Sequence, residues 1–178
     1  MSSTLKPKAK VYIDGANMFY VQKDVGFFID WNKMRDYLSE RYTVLEIRYY
    51  VGVKNDDEKM RSYLRYLDAI GILPVTKQLK VIKIDKSHVL AKTKNFKEIY
   101  KCNFDVEMTA DIFLDRSHLD EIVLFSGDSD FDYLVKKLRD LGKSVVIFSS
   151  RKMISWELRL SAKKHVFLED LRERIERK

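Results

Sequence analysis

Residues 121–131 read Glu121-Ile122-Val123-Leu124-Phe125-Ser126-Gly127-Asp128-Ser129-Asp130-Phe131, and this stretch decides the fold. Ile122 to Phe125 is a continuous apolar run of the kind found in strands buried on both faces. It stops at Ser126-Gly127-Asp128. Phe131, Leu134, Val135 and Leu138 then recur at helical spacing, and Gly142 ends the period. Val145-Val146-Ile147-Phe148 follows as a second buried run. A strand, a helix and another strand in that order form a crossover unit, which pairs its strands in parallel.

The same alternation extends in both directions. Lys10-Val11-Tyr12-Ile13 is a short strand that ends at Asp14-Gly15. Asp30 caps a helix carrying Met34, Tyr37 and Leu38 on one face. Residues 44–53 mix β-branched and aromatic side chains and read as a second strand. Asn55 with Glu58 resembles a capping box before a helix with Met60, Tyr63, Leu64 and Leu67. Residues 72–75 begin a third strand, placed off-centre by Pro74. Asp105 opens a helix with Val106, Ala110, Phe113 and Leu114 on one face. Ser155 caps a helix running through Ala162, His165 to Phe167 form a last short strand, and a terminal helix covers 169–177. The expectation is an α/β fold, with a Rossmann-like, mostly parallel sheet of five or six strands flanked by helices. Residues 1–9 would be a tail and 10–178 a single domain.

The chain has 178 residues, 46% of them hydrophobic, which supplies a substantial core. Its one cysteine, Cys102, excludes an intramolecular disulfide and a cysteine zinc cluster. His88, His118 and His165 are far apart, with no HxxxH pair for a zincin-type site. Lys plus Arg number 34 and Asp plus Glu 27, so the net charge is 34 − 27 = +7. That balance suits a polyanionic partner or simply keeps the chain soluble. No apolar run approaches the roughly 18 residues of a membrane span, and residues 1–10 lack the apolar region of a secretory signal. A cytoplasmic protein with no membrane partner is the expectation.

In open parallel sheets, sites form beyond the carboxyl ends of the strands. Asp14 sits at one such end, Asp128 and Asp130 at another, and Asp105 opens the intervening helix. Each taken singly could be a helix cap. Converging as a set, they would repel one another, at about 4 kcal/mol for a pair 4 Å apart at an effective dielectric of 20. Raised pKa values would relieve that, and a divalent cation would relieve it more completely. All-oxygen ligands suit Mg²⁺ or Mn²⁺. Such an ion beside a basic surface points to phosphodiester chemistry without a protein nucleophile. The absence of a G-x-S-x-G elbow or a Walker loop agrees with this.

At these residues the chain resembles a known family. Val11-Tyr12-Ile13-Asp14-Gly15-Ala16-Asn17 is similar to the opening IDGxN signature of NYN domains. Asp105-Val106-Glu107-Met108-Thr109-Ala110-Asp111 resembles their middle motif, and Ser126 to Phe131 their SGDSDF motif. The order and spacing match the LabA-like branch, over about residues 10–168. The resemblance implies a PIN-like fold and a Mg²⁺- or Mn²⁺-dependent ribonuclease, with Asp14, Asp105, Asp128 and Asp130 as metal-site acids. Asn17 would position a phosphate or a water, and Ser126 and Ser129 would bind through their hydroxyls. Asp111 would orient a ligand from behind. Asp132 either extends the site or serves the helix dipole. The chain departs from many relatives at Lys101-Cys102-Asn103-Phe104, where they carry a Lys-Gly pair before the middle acid.

Between 77 and 101 lie Lys77, Lys80, Lys83, Lys86, Lys92, Lys94, Lys97 and Lys101, opposed only by Asp85 and Glu98, with Phe96 and Tyr100 interleaved. This basic insertion is either a solvated strand face and loop or an arm that tracks phosphates. With the acids nearby, Lys92, Lys94, Lys97 and Lys101 are the RNA-binding candidates. The leading function is therefore a metal-dependent endoribonuclease acting on single-stranded or structured RNA, as monomer or homodimer. The alternative is a non-cleaving RNA-binding or regulatory module of the same fold. A phosphatase of the haloacid-dehalogenase type ranks low, because Ala16 stands where its second aspartate belongs.

Overall fold

The computed structural model describes residues 5–83 and 98–178. The strands in chain order are β1 (Lys8–Asp14), β2 (Thr43–Val53), β3 (Leu73–Gln78), β4 (Lys80–Lys83), β5 (Glu98–Lys101), β6 (Glu121–Phe125), β7 (Ser144–Ser149) and β8 (Lys164–Phe167). The helices are α1 (Gly15–Val25), α2 (Trp31–Arg41), α3 (Glu58–Ala69), α4 (Asp105–Asp115), α5 (Asp132–Asp140), α6 (Trp156–Ser161) and α7 (Arg172–Ile175). Six strands make one parallel sheet in the order β3-β2-β1-β6-β7-β8. β4 and β5 pair antiparallel as a separate two-stranded sheet.

The sheet order reverses between β1 and β6. This is the topological switch point, where the crossovers leave to opposite faces and a crevice opens at the strand ends. Alternate side chains of the central strands feed the two layers. Val11, Ile13, Val123, Phe125, Val146 and Phe148 pack with α1, α2 and the C-terminal turn. Tyr12, Ile122, Leu124, Val145 and Ile147 pack with α4, α5 and α6. Burial on both faces explains why β6 and β7 are continuous apolar runs.

Three details differ from expectation. β1 begins at Lys8, because Ala9 is already fully buried between β2 and β6. α3 is capped by Asp57, which accepts from the Met60 N–H at 2.9 Å; Asp56 turns the chain with a φ of 59°, so the helix starts after Asn55 has passed. On α4 the buried residues are Met108 and Ile112, whereas Val106 and Leu114 are exposed. Asp111 and Asp115 engage partners on the sheet, and that turns the apolar residues outward. No helix among the described residues is long and apolar enough to cross a membrane.

Candidate active site

Parallel register brings the first two motifs level. Ile13 pairs with Phe125, so Asp14 and Ser126 leave the sheet side by side. Asp14 caps α1, accepting from the Asn17 N–H at 3.0 Å, while its other oxygen accepts from the Ser126 hydroxyl at 3.2 Å. Ser126 is fully buried and accepts in turn from the Asp128 N–H at 3.2 Å. The Asn17 side-chain oxygen accepts from the Gly127 N–H at 3.0 Å. These bonds lock the ends of β1 and β6 together.

Two glycines make the approach close enough. A Cβ on Gly15 would lie 2.6 Å from the Tyr50 carbonyl oxygen, and one on Gly127 would lie 2.3 Å from the Met153 carbonyl oxygen. Neither backbone atom can move aside, so only glycine fits at either turn.

Asp128 accepts from the Asp130 N–H at 3.0 Å and so shapes the 3₁₀ turn that precedes α5. Asp105 enters from the first turn of α4. Asn103 holds it from both sides, donating to its carboxylate at 2.7 Å and accepting from its N–H at 2.7 Å. Carboxylate oxygens of Asp105, Asp128 and Asp130 lie within 4.8 Å of one another. Asp14 stands beside this triad and feels the charges of Asp105 and Asp128.

Two of the acids are held in an environment that disfavours their charged form. Burial pushes the Asp14 carboxyl above the usual carboxylate range, against the hydrogen bonds from Asn17 and Ser126, and Asp105 and Asp128 push it further. Burial also raises Asp105, with Asp128 and Asp130 adding to the effect and Asn103 opposing it. Among the described residues none of the four acids has a salt bridge. Asp111 and Asp115, farther along α4, contrast with them. Asp111 accepts from the Tyr50 hydroxyl at 2.7 Å and pairs with Arg48 at 3.0 Å, and Asp115 pairs with Lys10 at 2.9 Å. Three close carboxylates with no salt bridge among the described residues and with only oxygen donors fit a hard divalent cation such as Mg²⁺ or Mn²⁺.

Asp14, Asn17, Asp105, Ser126, Asp128 and Asp130 are thus brought together. The other sequence candidates divide. Asp111 belongs to the Arg48 network, and Asp132 pairs with Lys136 one turn along α5 at 2.7 Å. Ser129 is exposed in the 3₁₀ turn. Lys101 is exposed and lines the cleft; Lys77 is tied to Glu107 on α4. Lys92, Lys94 and Lys97 lie outside the described residues. The sequence reading missed Asn103, although an Asx residue two positions before a helix-opening acid is a recognisable turn signal. From the acids a cleft of about 950 Å³ extends past α1 and α3.

A family model for the NYN domain matches residues 8–169. The chain is 32% identical over 169 residues to the low amplitude and bright protein LabA of Synechococcus elongatus, covering 94% of this chain and 87% of that one. A crystal structure of a protein of unknown function from Vibrio parahaemolyticus superposes with a TM-score of 0.75 at 22% identity, over 96% of this chain and 98% of the other. It shares the fold.

Proposed function

The chain belongs to the NYN-domain family, part of the PIN-like nuclease superfamily, and from that premise we propose that it is a divalent-cation-dependent ribonuclease. The observation that carries the proposal is the convergence of Asp105, Asp128 and Asp130 within 4.8 Å, with no salt bridge to any of them among the described residues. Asp105, Asp128 and Asp130 would hold the ion, with Asp14 beside them. Mg²⁺ or Mn²⁺ bound there supplies activation of water and neutralisation of charge at the phosphate.

The protein's own groups set the geometry. Ser126 and Asn17 fix the two strand ends, and Asn103 fixes the carboxylate of Asp105. Lys101 and, outside the described residues, Lys92, Lys94 and Lys97 supply phosphate contacts. Each such contact on a single strand adds about 0.7 to the slope of log K against log salt.

A second reading has one observation in its favour. Asp14 and Asp128 both make local capping bonds, which a non-cleaving RNA-binding module would also need. Incubation of purified protein with labelled RNA and matched DNA, in Mn²⁺, Mg²⁺ or chelator, separates the two. The nuclease cuts RNA only with metal and loses the activity in Asp105→Asn and Asp128→Asn. RNA that is bound but uncut under every condition would establish the module instead.

A further inference from the structure

The cleft that starts at the acids has a second wall that the cleavage chemistry leaves unused. Phe19 and Tyr20 of α1, Phe28 of the following loop and Tyr66 of α3 all line it. They are 45%, 60%, 56% and 38% exposed. A lone exposed aromatic is ordinary, but four rings from three segments facing one cleft mark a binding surface.

One of the four rings, Tyr66, is anchored. Phe148 stacks on Phe125 at 4.4 Å, and Phe125 meets Trp31 at 6.0 Å. The row continues through Tyr49 at 5.4 Å and Tyr63 at 5.9 Å to Tyr66 at 6.2 Å. Tyr66 is therefore the solvent end of a chain of ring contacts rooted in the core. A platform held this way loses little freedom when a planar ligand stacks on it.

Charge complements the rings. Lys59 and Arg177 line the same cleft, and neither has a salt bridge among the described residues. The neighbours of Arg177 do: Arg172 pairs with Glu176 at 3.0 Å and Arg174 with Glu40 at 2.7 Å. Arg177 acts electrostatically on both Tyr63 and Tyr66, and the Asp30 carboxylate acts on Tyr66, so Arg177 is the cation that stands beside the platform. Aromatic faces interleaved with unpaired cations are the means by which proteins hold single-stranded nucleic acid, with bases on the rings and phosphates on the cations. A duplex hides its base faces and cannot use such a wall.

We propose that this wall is a base-stacking subsite that takes unpaired nucleotides flanking the phosphate at the acids, which makes the substrate single-stranded RNA. The proposal rests on the ribonuclease reading for the identity of the ligand, but its test reads binding and does not need cleavage.

The probe is a labelled, unstructured RNA of about twelve nucleotides, free or annealed to its complement, followed by fluorescence anisotropy in chelator. Phe28→Ala and Tyr66→Ala should each weaken single-strand binding about five- to hundredfold. Tyr66→Phe, which keeps the ring, should stay within about twofold of wild type. Duplex affinity should not respond to any of the three. Equal single-strand affinity in wild type and the Phe28→Ala/Tyr66→Ala double variant, or no single-strand affinity in wild type, overturns the subsite. So does binding of a mononucleotide as tight as that of the oligomer. A shift from dimer to monomer by sedimentation, with RNA affinity unchanged, would instead assign the rings to a contact between copies and likewise overturn it. If the ring variants lose single-strand affinity but no RNA is ever cut, the ribonuclease reading fails and the subsite stands.

Discussion

The buried hydroxyl of Ser126 donates to the Asp14 carboxylate at 3.2 Å, and the same oxygen accepts from the Asp128 N–H. One side chain therefore orients two of the four acids. Ser126→Ala should lower Mn²⁺ affinity about 10- to 100-fold, the usual effect of losing a residue that orients a ligand. It should cost about 1–2 kcal/mol of stability, because a buried carboxylate and an amide lose a partner. Titration calorimetry checks the first and urea unfolding the second. Unchanged metal affinity would reduce Ser126 to a packing residue.

Cation binding should stabilise the native state. At a hundred times Kd the gain is about 2.7 kcal/mol, visible as a rise in Tm with Mn²⁺ or Mg²⁺. Asp105→Asn/Asp128→Asn should abolish that rise. In chelator the double variant should melt no lower than wild type, since it removes two repelling charges and Asn still caps at position 128. A metal-free Tm well below wild type would make these acids structural.

The acids paired to the sheet behave in the opposite sense. Burial alone would raise Asp115, but Lys10, the Tyr12 hydroxyl and Arg48 hold its carboxyl below the usual carboxylate range. Its stabilising contribution is complete above the unfolded pKa of about 3.9 and is lost as pH falls through the lower folded value. Asp115→Asn should cost about 2 kcal/mol at neutral pH. Melting curves of the two proteins should converge as pH falls below about 4. A gap independent of pH would show that Asp115 acts through shape alone.

Gly127 has no room for a side chain. A Cβ there would sit 2.3 Å from the Met153 carbonyl oxygen and 2.7 Å from the Ser149 hydroxyl. Gly127→Ala should destabilise by about 3 kcal/mol or more, because a backbone oxygen cannot rotate away. Denaturant unfolding measures this, and a loss below about 1 kcal/mol would mean the turn relaxes freely.

The central strands were legible because burial on both faces writes an unbroken apolar run, as in Ile122 to Phe125. The acids were legible because they stand as punctuation where those runs end. The face of α4 was not. Asp111 and Asp115 turn inward to Arg48, Lys10, Tyr12 and Tyr50, so polarity there marks a buried network and the exposed apolar residues mimic a core stripe. The aromatic wall was also hidden, since Phe19, Tyr20, Phe28 and Tyr66 come from three segments and share no period. Only the packing of α1 and α3 on one side of the sheet makes them neighbours.

The switch point also sets a schedule. Asp14 and Ser126 are separated by 112 positions, and β2 and β3, which lie on the other side of β1, both precede β6 in the chain. During synthesis the first acid is made before its partners. Until β6 is made, the chain holds Asp14 without Ser126, Asp128 or Asp130, so the acid set is assembled by one long-range strand pairing and not by any local segment.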